Sequence, residues 1–140
     1  MQPADPTPEP SPLDALLAMV PFAATIGMEL VSASADEVVG RLAWREDLCT
    51  IGGALHGGAL MSLADNLGGV CAYLNLPAGA MTATISSSTN FMRGVRDGSV
   101  TATARPLRVG RSVIVVQTEL HDDAGRLVVQ TTQAQAVIES

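Results

Sequence analysis

The chain has 140 residues, 47% of them hydrophobic and only 16% charged, with a formal net charge of -6. That length suits one domain with a real core, small enough for a functional cleft to need a second subunit, and the sparse charge favours self-association. The acidic balance excludes a general nucleic-acid binder, which needs an excess of basic side chains, and no apolar run reaches the roughly 18 to 20 residues of a membrane span.

Residues 1–12 hold Pro3, Pro6, Pro8, Pro10 and Pro12 among small and acidic residues. With no apolar face to bury, they predict a disordered tail ahead of a single domain over 13–140. Ser11, Pro12 and Asp14 read as an N-cap, an N1 proline and a capping acid. Leu16, Leu17 and Val20 then give a short amphipathic helix ending near Pro21, with room for a second helical turn before Gly27.

From Met28 the hydrophobic period moves toward two. Residues 28–33 and 38–44 read as a strand pair joined by a polar turn, and 45–55 as a loop containing Gly52 and Gly53. Residues 57–74 are long enough for a helix of about five turns, with an apolar stripe of Leu60, Leu63, Ala64, Leu67 and Cys71. Gly68 and Gly69 each lower helix propensity by about 1 kcal/mol relative to Ala, which predicts an element packed very close to that helix.

Four strands follow, over 81–92, 99–109, 112–120 and 127–138. Gly110-Arg111 reads as a two-residue hairpin connection, Gly125 is placed for positive φ in the turn over 121–126, and Pro106 marks an edge or a bulge. The order β-β-α-β-β-β-β is an α+β two-layer arrangement, one long helix buried by a mostly antiparallel sheet.

Between Asp47 and Arg93 the one formal charge is Asp65. A carboxylate in so uncharged a stretch either occupies an isolated wet spot or is desolvated, at a cost of several kcal/mol on the order expected for buried ions. The desolvated reading makes Asp65 the leading catalytic candidate, able to deprotonate water or attack an acyl carbon; a helix-surface Asp beside Asn66 is the alternative. Gly57 and Gly58 open the helix, where the first N–H groups lack intrahelical partners and can grip a developing oxyanion. One such donor is worth roughly 3 to 4 kcal/mol in a transition state. The glycines turning the chain into the helix is an equal reading of that motif alone. His56, just ahead of them, takes an orienting role, and His121 a solvated one.

All eight positive residues are Arg, and five of them fall between Arg93 and Arg111. They read either as solvated strand ends or as a local site for a phosphorylated small molecule, whose geometry Arg matches. Cys49 and Cys71 form neither a disulfide framework nor a metal-ligand spacing, and no basic residue precedes Arg41; a cytoplasmic protein without metal or cofactor is expected.

The run Gly52-Gly53-Ala54-Leu55-His56-Gly57-Gly58-Ala59-Leu60-Met61-Ser62-Leu63-Ala64-Asp65 closely resembles the signature of hotdog-fold acyl-CoA thioesterases of the phenylacetate-degradation type, related to 4-hydroxybenzoyl-CoA thioesterases. The similarity extends over roughly residues 22–137. It implies a long central helix wrapped by a curved antiparallel sheet of five to six strands, in a homodimer or dimer-of-dimers tetramer with active sites at the subunit interface. It implies hydrolysis of an acyl-CoA thioester with Asp65 as nucleophile or general base, the Gly57 N–H as oxyanion donor, and His56 holding the loop. Across the interface the family places a Ser or Thr near the acid, and Thr84 is the matching position. Thr50 stands where the family commonly has Asn or Gln.

Under the same resemblance, Arg93, Arg108 and Arg111 are partners for the phosphates of coenzyme A. Leu60, Leu67, Met61 and Met92 are candidates for the acyl slot, with core packing as the alternative. Two other functions compete: a non-catalytic acyl-CoA-binding module, motivated by Thr50, and a hydratase or dehydratase on the same fold, which needs a His and an acid acting together.

Overall fold

The structure is a computed structural model that describes residues 2–6, 9 and 11–139. The predicted tail falls partly on Met1, Thr7, Pro8 and Pro10, which lie outside the described residues. Pro12, placed at the end of that tail and also read as an N1 proline, opens helix α1 (Pro12–Ala18), with Ser11 and Asp14 forming a reciprocal capping box around it, so the tail stops short of it. Helix α2 (Pro21–Ile26) follows and stops at Gly27, which takes the left-handed conformation with φ 76°.

Strands β1 (Glu29–Ala33) and β2 (Val38–Ala43) pair antiparallel. A 3-10 turn at Glu46–Leu48 leads to the long helix α3 (Gly57–Tyr73), and then come β3 (Met81–Phe91), β4 (Ser99–Val109), β5 (Val113–His121) and β6 (Leu127–Ile138). All six strands form one sheet in the order β1-β2-β4-β5-β6-β3, every neighbouring pair antiparallel. This is the hotdog architecture: the sheet wraps α3, which meets β2, β3, β4, β5 and β6.

The core is the interface between α3 and the sheet. Leu63, Ala64, Leu67 and Cys71 present their stripe to Val38, Leu42, Val100, Ile114, Val116 and Leu120, all nearly inaccessible to solvent. Alternate residues of β4 and β5 face inward, the period-two signature of a sheet with one covered side. Gly40 on β2 makes room for this contact, since a Cβ there would stand 2.7 Å from Leu67 Cδ1 and 3.1 Å from the Glu29 carbonyl oxygen. Burial also pushes the Cys71 thiol up to about 11, which leaves it a core side chain rather than a nucleophile.

Two turn expectations separate. Gly125 adopts φ 78° in the β5–β6 turn, and the register shifts between Pro106 and Arg108, so the proline marks a bulge in an interior strand. The β4–β5 hairpin differs from its expected form. Gly110 donates its N–H to the Val113 carbonyl at 2.9 Å, so the connecting residues are Arg111 and Ser112. Glycine is required there for closeness instead of positive φ, because a Cβ would meet the Val113 carbonyl oxygen at 2.6 Å.

Candidate active site

The loop that delivers His56 and Gly57 is tied at several points. Gly52 and Gly53 both take positive φ, 87° and 81°, and Trp44 Nε1 donates to the Gly53 carbonyl at 2.9 Å. Leu55 N–H bonds the Val95 carbonyl and His56 N–H the Leu48 carbonyl, each at 2.8 Å. His56 then serves as the N-cap of α3, its Nδ1 accepting the Gly58 N–H at 2.8 Å. The ring therefore presents Nδ1 as an acceptor to the first turn of the helix. The cap consumes the Gly58 N–H. No described residue accepts the Gly57 N–H, which lines a cleft of about 430 Å³ with Leu55, Leu60, Phe91, Met92, Arg93 and Gly94.

Two turns further along α3, Asp65 lines a second cavity, of about 340 Å³. Its walls come from four places: α1 and the residues after it (Leu16, Met19, Val20), the distal face of α3 (Gly69, Val70, Tyr73), the start of β3 (Met81, Thr82, Thr84), and Gln135 of β6. Asp65 is exposed within the single chain, so one protomer by itself does not desolvate the carboxylate. The reason lies in the sheet. The part of α3 carrying Asp65 sits beside β3, one of the two edge strands, where no further strand among the described residues covers it.

Thr84 Oγ1 lies 3.4 Å from Asp65 Oδ1 within the same chain, so the hydroxyl expected from across a subunit interface already reaches the acid of its own protomer. Beneath both sit two side chains the sequence reading passed over. Gln133 and Gln135, 1% and 2% exposed, project from β6 toward the helix; Gln133 Nε2 is 3.3 Å from Asp65 Oδ1, and Gln135 Oε1 is 2.6 Å from Thr84 Oγ1. The signal was present: in the alternating segment Val129, Thr131, Gln133, Gln135, the amides occupy inward positions where burial demands a partner. Gly68 serves them, since a Cβ there would overlap the Gln133 carboxamide, whereas one on Gly69 would meet nothing within 4 Å. The element expected to pack very close to the helix thus meets it at Gly68 and not at Gly69.

The remaining candidates are dispersed. Thr50 is exposed in the loop; its backbone N–H bonds the Ala54 carbonyl at 2.8 Å, and it lines neither cavity. Arg93 stands beside Gly57 in the first cleft, while Arg108 and Arg111 flank a separate hollow at the β4–β5 hairpin, so one chain does not gather the three. Leu60 and Leu67 are core residues at 2% and 0% exposure, Met61 is exposed, and Met92 lines the Gly57 cleft. Among the described residues no group of three or more His, Cys, Asp and Glu side chains converges as metal ligands would, and no helix is long and apolar enough to cross a membrane.

The family model of the Thioesterase superfamily matches residues 52–129, the stretch that runs from the glycine loop through Asp65 into β6. The chain belongs to the Thioesterase superfamily. Among relatives of this thioesterase-superfamily chain, a 1,4-dihydroxy-2-naphthoyl-CoA hydrolase from Escherichia coli is 33% identical over 86 residues, 61% of this chain and 63% of that protein. A Vibrio cholerae protein that carries an esterase name is 43% identical over 76 residues, 54% of this chain and 51% of that protein. The chain spans about half to two-thirds of the length of the first curated relatives it matches, 51%, 65% and 54%.

Solved structures extend the likeness to nearly the whole superfamily chain. A mutant thioesterase from Pseudomonas aeruginosa superposes with a TM-score of 0.85 at 26% identity, covering 94% of this chain and 96% of that one. A Haemophilus influenzae thioesterase gives a TM-score of 0.84 at 24% identity, covering 90% and 89%, a likeness of fold.

Proposed function

We propose that this chain hydrolyses an acyl-CoA thioester, with Asp65 as nucleophile or general base and the Gly57 N–H as oxyanion donor, in a site completed by a second copy. The observation that carries this reading is the spacing of those two groups on one rigid helix. Gly57 and Asp65 are eight residues apart on α3, which at 1.5 Å per residue separates them by about 12 Å along the axis. A single thioester carbonyl cannot be gripped by one and attacked by the other, because reacting atoms must lie within about 3 to 3.5 Å. Two copies running antiparallel remove the conflict by placing the Gly57 end of one helix against the Asp65 region of the other.

The sheet supports that arrangement. Strand β3 is an edge of eleven residues without a charge, and Met81, Ile85 and Phe91 on it are 63%, 59% and 50% exposed. Edges meant to stay single are ordinarily short or guarded by charge or proline. Pairing β3 with its own copy puts the Phe91 and Arg93 end of one chain beside the Met81 end of the next, where the Asp65 cavity and the Arg108–Arg111 hairpin lie. The three arginines that one chain keeps apart then converge on one substrate, in keeping with the phosphates of coenzyme A.

In the reaction the Gly57 N–H stabilises charge on the thioester oxygen while either Asp65 attacks the acyl carbon, the C–S bond breaks and water then hydrolyses the acyl–aspartyl anhydride, or Asp65 takes a proton from the attacking water and the tetrahedral intermediate expels sulfur; in both, the thiolate leaves with a proton that comes from water and the free acid is the other product. The cavity over Gly69, Val70, Tyr73 and Met81 offers an apolar space beside the acid for the acyl group. The phenylacetate-degradation subtype is part of this proposal. A thiol-release screen over short, medium, long and aromatic acyl-CoAs tests it. Release by the wild type and its loss in Asp65→Asn are expected; binding without release would select an acyl-CoA-binding module instead.

A further inference from the structure

Strand β6 buries a pair of amides directly under the candidate acid, and their proton accounting singles out one of them. Gln133 Nε2 has two protons and two acceptors in reach, Asp65 Oδ1 at 3.3 Å and Gln135 Oε1 at 2.9 Å. Thr84 Oγ1 has a single proton, and it lies 2.6 Å from Gln135 Oε1 against 3.4 Å from Asp65 Oδ1. The hydroxyl proton goes to the nearer acceptor, so the threonine is spent on Gln135. Gln135 is itself anchored, its Nε2 donating to Thr82 Oγ1 at 3.2 Å. The one group left with a proton for the carboxylate is the Gln133 carboxamide, and no described residue bonds Asp65 Oδ2.

We propose that Gln133 is the positioning residue of Asp65: its amide holds Oδ1, which leaves Oδ2 as the oxygen presented to the acyl carbon or its water. The inference rests on the thioester reading above and assigns a residue to it. A buried amide suits the task because it donates a hydrogen bond without carrying a charge that would neutralise the acid, and because the core around it fixes its rotamer. The same assignment explains Gly68. A mid-helix glycine weakens α3, and its missing Cβ is the space the carboxamide occupies. Asp65 is the sole titratable side chain hydrogen-bonded to this network among the described residues.

Gln133→Met keeps shape and volume and removes the donor. Its kcat for thiol release is expected to fall about tenfold or more with KM within about twofold, the split produced by losing orientation of the reacting group. Gly68→Ala, which displaces the carboxamide while favouring the helix, is expected to show the same kcat loss and covers the case in which the first variant does not fold. Wild-type kcat in Gln133→Met or in a folded Gly68→Ala overturns the assignment. Side-chain amide NMR separates this outcome from failure of the thioester reading. If wild type releases no thiol from any acyl-CoA, that reading fails alone, while the Gln133 carboxamide resonances still shift in Asp65→Ala; unshifted resonances overturn the positioning role whatever the activity.

Discussion

His56 Nδ1 accepts the Gly58 N–H at 2.8 Å and so leaves the Gly57 N–H as the free donor at the start of α3. The cap and the proposed oxyanion donor are adjacent peptide groups with different partners. Gly57→Pro separates them, since proline is tolerated at the first helical position and His56 is already extended, with φ -60° and ψ 136°. Retained helix content by circular dichroism is expected, together with a fall in kcat of about 100-fold or more in thiol release, the usual consequence of deleting one oxyanion donor. Unchanged turnover would remove Gly57 from the mechanism.

Asp65→Asn preserves shape and hydrogen bonding to Gln133 but neither attacks an acyl carbon nor accepts a proton. Thiol release is expected to fall by about 100-fold to 10,000-fold with an unchanged melting temperature, a loss typical of a missing acid-base group. Turnover within a few-fold of wild type would place the chemistry elsewhere.

Ile85 stands 59% exposed on the uncharged edge strand β3, at the point where the pairing with β6 shifts register. Ile85→Lys puts a charge of the same sign on both copies across the proposed seam. Light scattering should report a smaller species, and thiol release should be lost with it, because Gly57 and Asp65 of one chain are too far apart to act together. An active monomer would contradict the two-copy site.

Gly40→Ala tests how tightly α3 is seated. The new Cβ meets Leu67 at 2.7 Å and the Glu29 carbonyl at 3.1 Å, and backbone on one side prevents easy relief. A loss of about 1 to 3 kcal/mol in denaturant unfolding is expected, as for an overpacked core.

The β5–β6 turn gives a pH dependence. The Arg126 backbone N–H bonded to Asp122, with the Arg126 guanidinium beside it, holds the Asp122 carboxyl below its ordinary value of 3.8. A depressed folded-state value means that the ionised carboxylate stabilises the fold above pH 3.8, and that this contribution fades as pH falls through the lower folded value. The melting temperature of Asp122→Ala should therefore lie below wild type at neutral pH, with the gap closing in acid below pH 3.8. A gap that persists in acid would assign the effect to packing.

Much of this architecture was legible in residue order. Ser11, Pro12 and Asp14 announced the cap of α1, the stripe from Leu60 to Cys71 announced the buried face of α3, and strict alternation announced the strands. These signals are local, set by backbone geometry within a few residues. The solitary charge of Asp65 and the glycines ahead of it located the candidate site by the same local logic. What the reading missed was non-local. Gln133 lies 68 residues from Asp65 in sequence, and only the pairing of β6 with β3 and the wrapping of both around α3 bring its amide to the carboxylate.

The sequence by itself determined the elements and their order along the chain and singled out Asp65 as the candidate acid, because periodicity, capping and the absence of competing charge act over short range. Only the tertiary structure decided that the acid lies against an open sheet edge instead of in its own core, that Thr84 serves Gln135 before Asp65, and that Gly68 is the slot for a buried amide. Those facts depend on which strand ends up at the edge and how closely a helix can approach a sheet, and such distances exist only once distant segments have packed together.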